Sequence, residues 1–420
     1  MLQIDGGRFS ATVVDKLVDA GGSSCSYKEA ARVVRKQAGI IVSPMQIARL
    51  VQTIGEELLE QRESQATEHR QGKLPAPTDQ PPVQIACVEV DGGRILTRAP
   101  DQGRGVHDEA WKESKVAALW KMTGPEFDHD PHPDPPKCFC DPKQVRKLVK
   151  GLKSQRELHA DELTKIDAVA PEIKPSEEPK PPRVWPPERV YRTCVGTLCD
   201  VYGFGPLVAA EAQRRGFYQA DRQVFLGDGD PKNWTVHKLH FPHFTAITDF
   251  MHPVSYIYQA AGAITNSFAA QWEQYDAWLV DVWQGRVTNV IAELETWSAR
   301  LGPPPKDAPD DDPRQIVAGT LTYLAHNAAR MNYDHYRRRG LPITSCLVES
   351  LIKEFNRRVK GTEKFWNRPA GAEAILQVRA ALLSDGDQLT RLIHTRPGQL
   401  HYRRASPPSP DPANRSRKTK

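Results

Sequence analysis

Gln223–Trp234 reads QVFLGDGDPKNW. Val224, Phe225 and Leu226 form an apolar run that leads directly to Asp228 and Asp230, with Gly229 between them. The pattern predicts a short buried strand ending in two acids, which share one side if the chain stays extended. Such a strand end in an α/β domain is a usual place for a site. A plain Asp-Gly turn is the alternative. Downstream, Thr245–Ile247 reads as another strand, ending at Asp249 three residues before His252. His237, His240 and His243 lie between, in a Pro-containing stretch expected to be irregular, where surface or packing roles fit better than metal binding.

Upstream, Val83–Thr97 (VQIACVEVDGGRILT) predicts a strand, a Gly-Gly turn and a strand. Alternation puts Ile85, Cys87, Glu89 and Asp91 on one face and Ala86, Val88 and Val90 on the other. An acid at the end of an apolar strand is costly unless it is paired or binds a cation. Trp111–Met122 predicts a strand with Lys115 and Lys121 flanking its apolar part, and Tyr191–Asp200 another. Helices then dominate: Pro206–Arg215, Ser255–Leu301 and Gln315–Met331. Trp272, Trp278, Trp283 and Trp297 are expected in the core of that helical block.

Leu341–Trp366 (LPITSCLVESLIKEFNRRVKGTEKFW) predicts a helix capped by Thr344 or Ser345 and stopped by Gly361. Val348, Leu351, Ile352, Phe355 and Val359 form its buried face. Glu349, Lys353, Asn356 and Lys360 lie opposite, beside Arg357 and Arg358. A solvated face with a Glu349–Lys353 pair, worth about 0.3–0.5 kcal/mol, is the plain reading. The sharper one is an acid that holds a metal ion while the basic stripe follows a phosphate backbone.

The N-terminus is helical. Tyr27–Gln37 is amphipathic, and Gly39 makes a turn. A second helix starts at Ser43, with Pro44 at its first position and Gln46 completing a capping box. This is a helix-turn-helix pattern whose second helix would present Gln46 and Arg49 to DNA; an ordinary helical hairpin reads equally well. Residues 124–189 are rich in proline and charge and are expected to be an irregular insertion with one basic helix over 142–166. His129, His132, Cys138 and Cys140 fall in it, but Cys-x-Cys is not a usual zinc spacing, so a surface loop is expected.

Bulk properties narrow the class. Net charge is +5, permissive for nucleic acid without proving it. Mean hydropathy is −0.56, and no apolar run is long enough for a bilayer. No signal peptide is expected from MLQIDGGRFS. Seven scattered cysteines suggest reduced thiols in a cytosolic compartment. The tail from about Arg396 is basic, rich in proline and serine, and expected to be disordered.

Three acids stand out in order: Asp91, Asp228 and Glu349, the last two separated by a helical block. In this arrangement the chain resembles the DDE transposases of bacterial insertion sequences, of the ISKra type related to Mutator-like transposases. The motifs are VEVDGGRI at 88–95, WKESKVAAL at 111–119, FLGDGD at 225–230 followed by Trp234, ITDFMH at 247–252, and RRRGLPITSCLVESLIKEFNRRVKGTEKFW at 337–366. The N-terminal YKEAARVV and GIIVSPMQIARLVQTIGEEL are similar too. Departures are Asp230, where the family commonly has a small residue, Thr344-Ser345-Cys346 in place of a glycine-containing turn, and the proline-rich insertion.

The resemblance implies an α/β ribonuclease-H-like core with a large all-helical insertion, plus an N-terminal helical, helix-turn-helix-like domain. The expected order is an N-terminal DNA-binding region 1–72, a linker 73–82, a core 83–262, a helical insertion 263–340, the rest of the core 341–395 and a tail 396–420. It implies catalysis and metal binding by Asp91, Asp228 and Glu349, with Asp249, His252 and Asp230 supporting. Lys353, Arg357, Arg358, Lys360 and the Arg337–Arg339 run would meet DNA phosphates, and Trp366 an unpaired base. The implied cofactor is Mg²⁺ or Mn²⁺, since two divalent ions about 3.5–4 Å apart serve both ends of an in-line displacement. The implied partners are double-stranded DNA (the element's terminal inverted repeats and its target) and further copies of the chain, with no membrane, in a bacterial cytoplasm at the nucleoid. A nuclease without strand transfer and a catalytically silent DNA-binding protein are the alternatives.

Overall fold

A computed structural model describes residues 9–75, 77, 83–97, 110–156, 185–344, 354–355, 358–359, 366 and 368–396. Its centre is a five-stranded sheet in the order β3-β2-β1-β4-β5: β1 (Ile85–Thr97), β2 (Ala110–Thr123), β3 (Glu188–Thr197), β4 (Arg222–Gly227) and β5 (Thr245–Thr248). β1–β2 and β2–β3 are antiparallel, whereas β1–β4 and β4–β5 are parallel. The chain is thus mixed α/β.

β1 corrects one expectation. It is a single strand paired with β2 along its whole length, Gly92 facing Lys115 and Gly93 facing Ser114. The Gly-Gly pair carries no turn, because glycine extends as readily as it bends and the β2 partner supplies the ladder. Asp91 therefore stands within the strand, where the fully buried half gives way to a half-exposed one.

Three helices precede the sheet: α1 (Ala11–Ser23), α2 (Tyr27–Ala38) and α3 (Pro44–Arg70). α2 ends on Gly39 in the left-handed conformation, and Ser43 and Gln46 form the expected capping box. α3 runs on far past the predicted apolar face and reaches the sheet. α5 (Val201–Arg214) and α6 (Pro231–His240) follow β3 and β4. They cover the face that carries Ala86, Val88, Val90 and Phe225. His237 and His240 sit on α6, a correction to the irregular stretch expected there. Both are lowered in pKa by burial, and His237 Nε2 lies 2.8 Å from the Phe244 carbonyl, so their roles are in packing.

The other face carries Ile85, Cys87, Val224, Leu226 and Ile247. Beyond it stands the helical block: α7 (Met251–Ile264), α8 (Phe268–Trp283), α9 (Val287–Leu301), α10 (Pro313–Asn327) and α11 (Tyr333–Arg338). Trp278 and Trp283 are fully buried there, and Trp272 and Trp297, partly buried, pack against the same core. The proline-rich stretch is not a loose insertion over its described part. Asp130 pairs with Arg337 at 2.5 Å, Trp283 Nε1 donates to the His132 carbonyl, and α4 (Pro142–Arg156) buries Val145 and Val149.

β3 is an edge strand, and its outward groups are covered. Arg62 of α3 donates to the Cys194 carbonyl, and Gln377 of α12 (Pro369–Leu382) donates to the Gly196 carbonyl. The Cys194 amide donates to Ser384 and the Leu198 amide to Glu373. An open ladder that would invite pairing with another chain is thereby closed. α13 (Gln388–Thr395), not anticipated in the sequence, packs on α1. Among the described residues no helix is long and apolar enough to cross a membrane.

Candidate active site at the ends of parallel strands

Three neighbouring strands bring acids to one level of the sheet: Asp91 lies within β1, and Asp228 and Asp249 directly follow β4 and β5. The β1–β4 register pairs Glu89 with Leu226, and Asp91 and Asp228 each follow two residues later. The β4–β5 register pairs Gly227 with Thr248, and Asp228 and Asp249 come next. Adjacent strands lie about 4.8 Å apart, so this register brings the acids to one end of one sheet face.

Asp91, Asp228, Asp230 and His252 line a common cavity of about 170 Å³. Asp228 is held from below. Its Oδ1 accepts from the Asp230 amide at 2.9 Å and from Asn233 Nδ2 at 2.8 Å. Tyr323 of α10 donates its hydroxyl to the Asp228 carbonyl at 2.8 Å. Gly229 has φ +99°, and a Cβ there would come within 2.6 Å of the Tyr323 ring. Both the conformation and the close approach require glycine. Asp230 accepts from the Lys232 amide and caps α6. The sequence reading puts Asp228 in the catalytic place and Asp230 in a supporting one, and Asp230 here caps a helix.

Asp249 is almost fully buried and stands behind His252, with Oδ2 3.7 Å from Nε2. His252 Nδ1 is buried without a hydrogen-bond partner. Glu89, 1% exposed, accepts from Trp120 Nε1 at 2.7 Å through Oε2, and its Oε1 has no partner. Burial pushes its carboxyl up to about 8, the Trp120 hydrogen bond opposes the shift, and Asp249 adds to it.

Charge of both signs lines the rim. Glu113 bridges Lys115 at 2.9 Å and Lys232 at 3.1 Å. Burial acts to raise the Glu113 carboxyl, but the two lysines outweigh it and hold it below its ordinary value. Sequence reading noted Lys115 only as a flank and missed Glu113, Lys232, Asn233 and Tyr323. The β2 alternation that puts Glu113 and Lys115 on one side was the available signal.

Glu349, Lys353, Arg357 and Lys360 lie outside the described residues. The residues on either side of Glu349 are informative. Ile343 accepts from the Phe250 amide, beside the end of β5, while the Phe355 ring packs on Gly196 of β3. Arg358 is not part of an exposed stripe. It is 5% exposed, donates to the Gly21 carbonyl and stacks on Tyr27 at 4.4 Å. Arg337 is likewise buried, against Asp130 and Trp283, so neither arginine is free for phosphates in this conformation. Trp366 bridges Thr97 and donates to the Val359 carbonyl, a packing position. Gln46 and Arg49 are exposed on α3 but do not line the cavity, and the Gln46 oxygen accepts from the Ser43 amide.

Among the described residues no three acid, histidine or cysteine side chains gather closely enough to form a metal-binding group. The donor chemistry available is hard oxygen: both hydrogen bonds to the Asp228 carboxylate fall on Oδ1, and Asp91 shares the cavity. That suits Mg²⁺ or Mn²⁺, which take one or two carboxylates and complete their shell with phosphate and water oxygens. No protein-family model matches the chain, and no curated protein matches it.

Proposed function

We propose that the chain is a metal-dependent DDE-type transposase that cuts DNA at the ends of an insertion sequence and joins the freed end to a target. The carrying observation is that Asp91 and Asp228 follow paired residues of adjacent parallel strands and line one cavity. A ribonuclease-H-like core fits this sheet order, in which three antiparallel strands are extended by two parallel ones. Glu349, outside the described residues, is taken as third acid on the resemblance of its motif at 337–366.

In this reading Asp91, Asp228 and Glu349 would hold Mg²⁺ or Mn²⁺, which would supply Lewis-acid activation of the nucleophile and neutralise phosphate charge. The chain's own groups do the rest. Asn233 and the Asp230 amide fix the Asp228 carboxylate. Lys232, exposed at the rim, attracts the scissile phosphate. Hydrolysis forms a bond from water oxygen to phosphorus and breaks the bond to the 3′-oxygen, which leaves with a proton. Joining repeats the displacement with that 3′-hydroxyl as nucleophile.

The test is incubation of the full chain with a labelled duplex bearing the element's ends, with Mg²⁺ or Mn²⁺. Wild type is expected to yield cut and joined products, and Asp91→Asn and Glu349→Gln to lose roughly 10³-fold in rate. Cutting that survives Asp91→Asn removes the assignment. Cut products without joined ones reduce the activity to a nuclease, and binding without cutting to a silent DNA-binding protein.

A further inference from the structure

A second cavity opens from the same acids. It has a volume of about 1250 Å³ and runs from Asp228 between α6 and α10. Pockets for one small molecule span about 300–1,000 Å³, so this groove suits an extended ligand. Its lining holds both rings and cations beyond the acids Asp228 and Asp230 at its origin. Tyr202 and Leu239 stand at 67% and 55% exposure, while Lys238 and His326 are exposed beside them. Arg330 lies over the Trp234 ring at 4.4 Å, and Trp234 donates to Asn327, which fixes both.

We infer that this groove holds a short stretch of single-stranded DNA leading away from the cut, with bases on Tyr202 and phosphates on Lys238 and Arg330. The inference rests on the transposase reading for its origin at Asp228. Flat aromatic faces accept any base, and cations along a groove track the backbone, which is the chemistry of sequence-tolerant single-strand binding. A duplex is a broad convex cylinder that needs a wide, shallow surface; a groove walled by two helices suits one strand. The exposure of Tyr202 and Leu239 beside a wall of small α10 residues, Ala318 and Gly319, leaves room for a base to enter.

The probe is a short fluorescent oligothymidylate, with a blunt duplex as control, read by anisotropy without divalent metal. The full chain carrying Asp91→Asn is the parent. Tyr202→Ala and Lys238→Glu, each added separately, are expected to weaken the single strand roughly tenfold and the duplex hardly at all. Tyr202→Phe keeps the ring and is expected to keep the affinity. Both positions are exposed, and thermal melting of each variant checks folding. Unchanged single-strand affinity in both variants, an equal loss on the duplex, or Tyr202→Phe failing like Tyr202→Ala overturns the groove. Strand binding that responds as expected, in a chain whose wild type never cuts with metal, keeps the groove and removes the transposase reading. Metal-dependent cutting beside unresponsive strand binding does the reverse.

Discussion

Glu211 and Glu89 are both buried, yet their surroundings drive them to opposite charge states. Glu211 belongs to the α5 face of the sheet. Its Oε1 accepts from Thr193 at 2.7 Å and Arg215 at 2.9 Å, and its Oε2 from Arg214 at 2.7 Å. Burial alone would raise it, but Arg215, Arg214, Thr193 and Arg62 prevail and hold its carboxyl at about 2. Glu89 faces the other way, meets one tryptophan N–H and an acid, and is pushed up to about 8. The same side chain is therefore an anion on one face and a neutral acid on the other. Satisfied polar groups mark where the sheet is held together. Glu89 Oε1 and His252 Nδ1, both buried without a partner, lie beside the acids Asp91, Asp228 and Asp249.

Breaking the satisfied side should have the largest effect. Glu211→Gln leaves Arg215 and Arg62 with much less compensation and is expected to cost about 3–5 kcal/mol in unfolding. The sign follows from the lowered pKa. The carboxylate's contribution is fully present above the unfolded value of 4.5 and is lost as pH falls toward about 2. Denaturant unfolding should show a wide gap between wild type and variant at pH 7 that closes by pH 2–3. A gap that does not depend on pH would mean that the ion pairs are not its source.

Glu89→Gln should have the opposite sign and a comparable size. Between 4.5 and about 8 the folded state keeps a proton that the unfolded state releases, so wild type loses stability as pH rises through that window. Glutamine has no proton to lose. The variant is expected to be the more stable by about 3–5 kcal/mol at pH 9, and within about 1 kcal/mol at pH 5. Melting temperatures at the two values decide it, and wild-type superiority at pH 9 would show that ionised Glu89 finds a partner.

These two glutamates also mark what a sequence reader can see. Alternation places Glu89 and Asp91 on one face, and strand ends locate Asp228 and Asp249, because a period of two is local information. The capping box at Ser43 and Gln46 is legible for the same reason. Register is not local. That Gly92 pairs with Lys115 depends on β2, and so the Gly-Gly pair reads as a turn until its partner is known. Nor does a run of arginines show which member is buried. Arg337 is taken by Asp130, 207 residues away in sequence. Arg62 and Glu211, the centre of the satisfied network, lie on two helices with nothing in the chain between to link them.

The smallest expected effect sharpens the comparison most, because Tyr323 satisfies one half of a site residue and leaves the other half open. Its hydroxyl is bonded to the Asp228 backbone, while its ring, stacked on Tyr256 at 3.9 Å, walls Gly229. Tyr323→Phe keeps the ring and removes one hydrogen bond, leaving the Asp228 carbonyl without that donor. The expected loss is about 1 kcal/mol of stability. If the helical block positions Asp228 for chemistry, the metal-dependent cutting rate should fall by about fivefold, equivalent to roughly 1 kcal/mol of barrier, with affinity for duplex ends unchanged. A stability loss with the full cutting rate would instead mean that Asn233 and the Asp230 amide suffice to hold the carboxylate. The block would then be a support for the fold and not for the site.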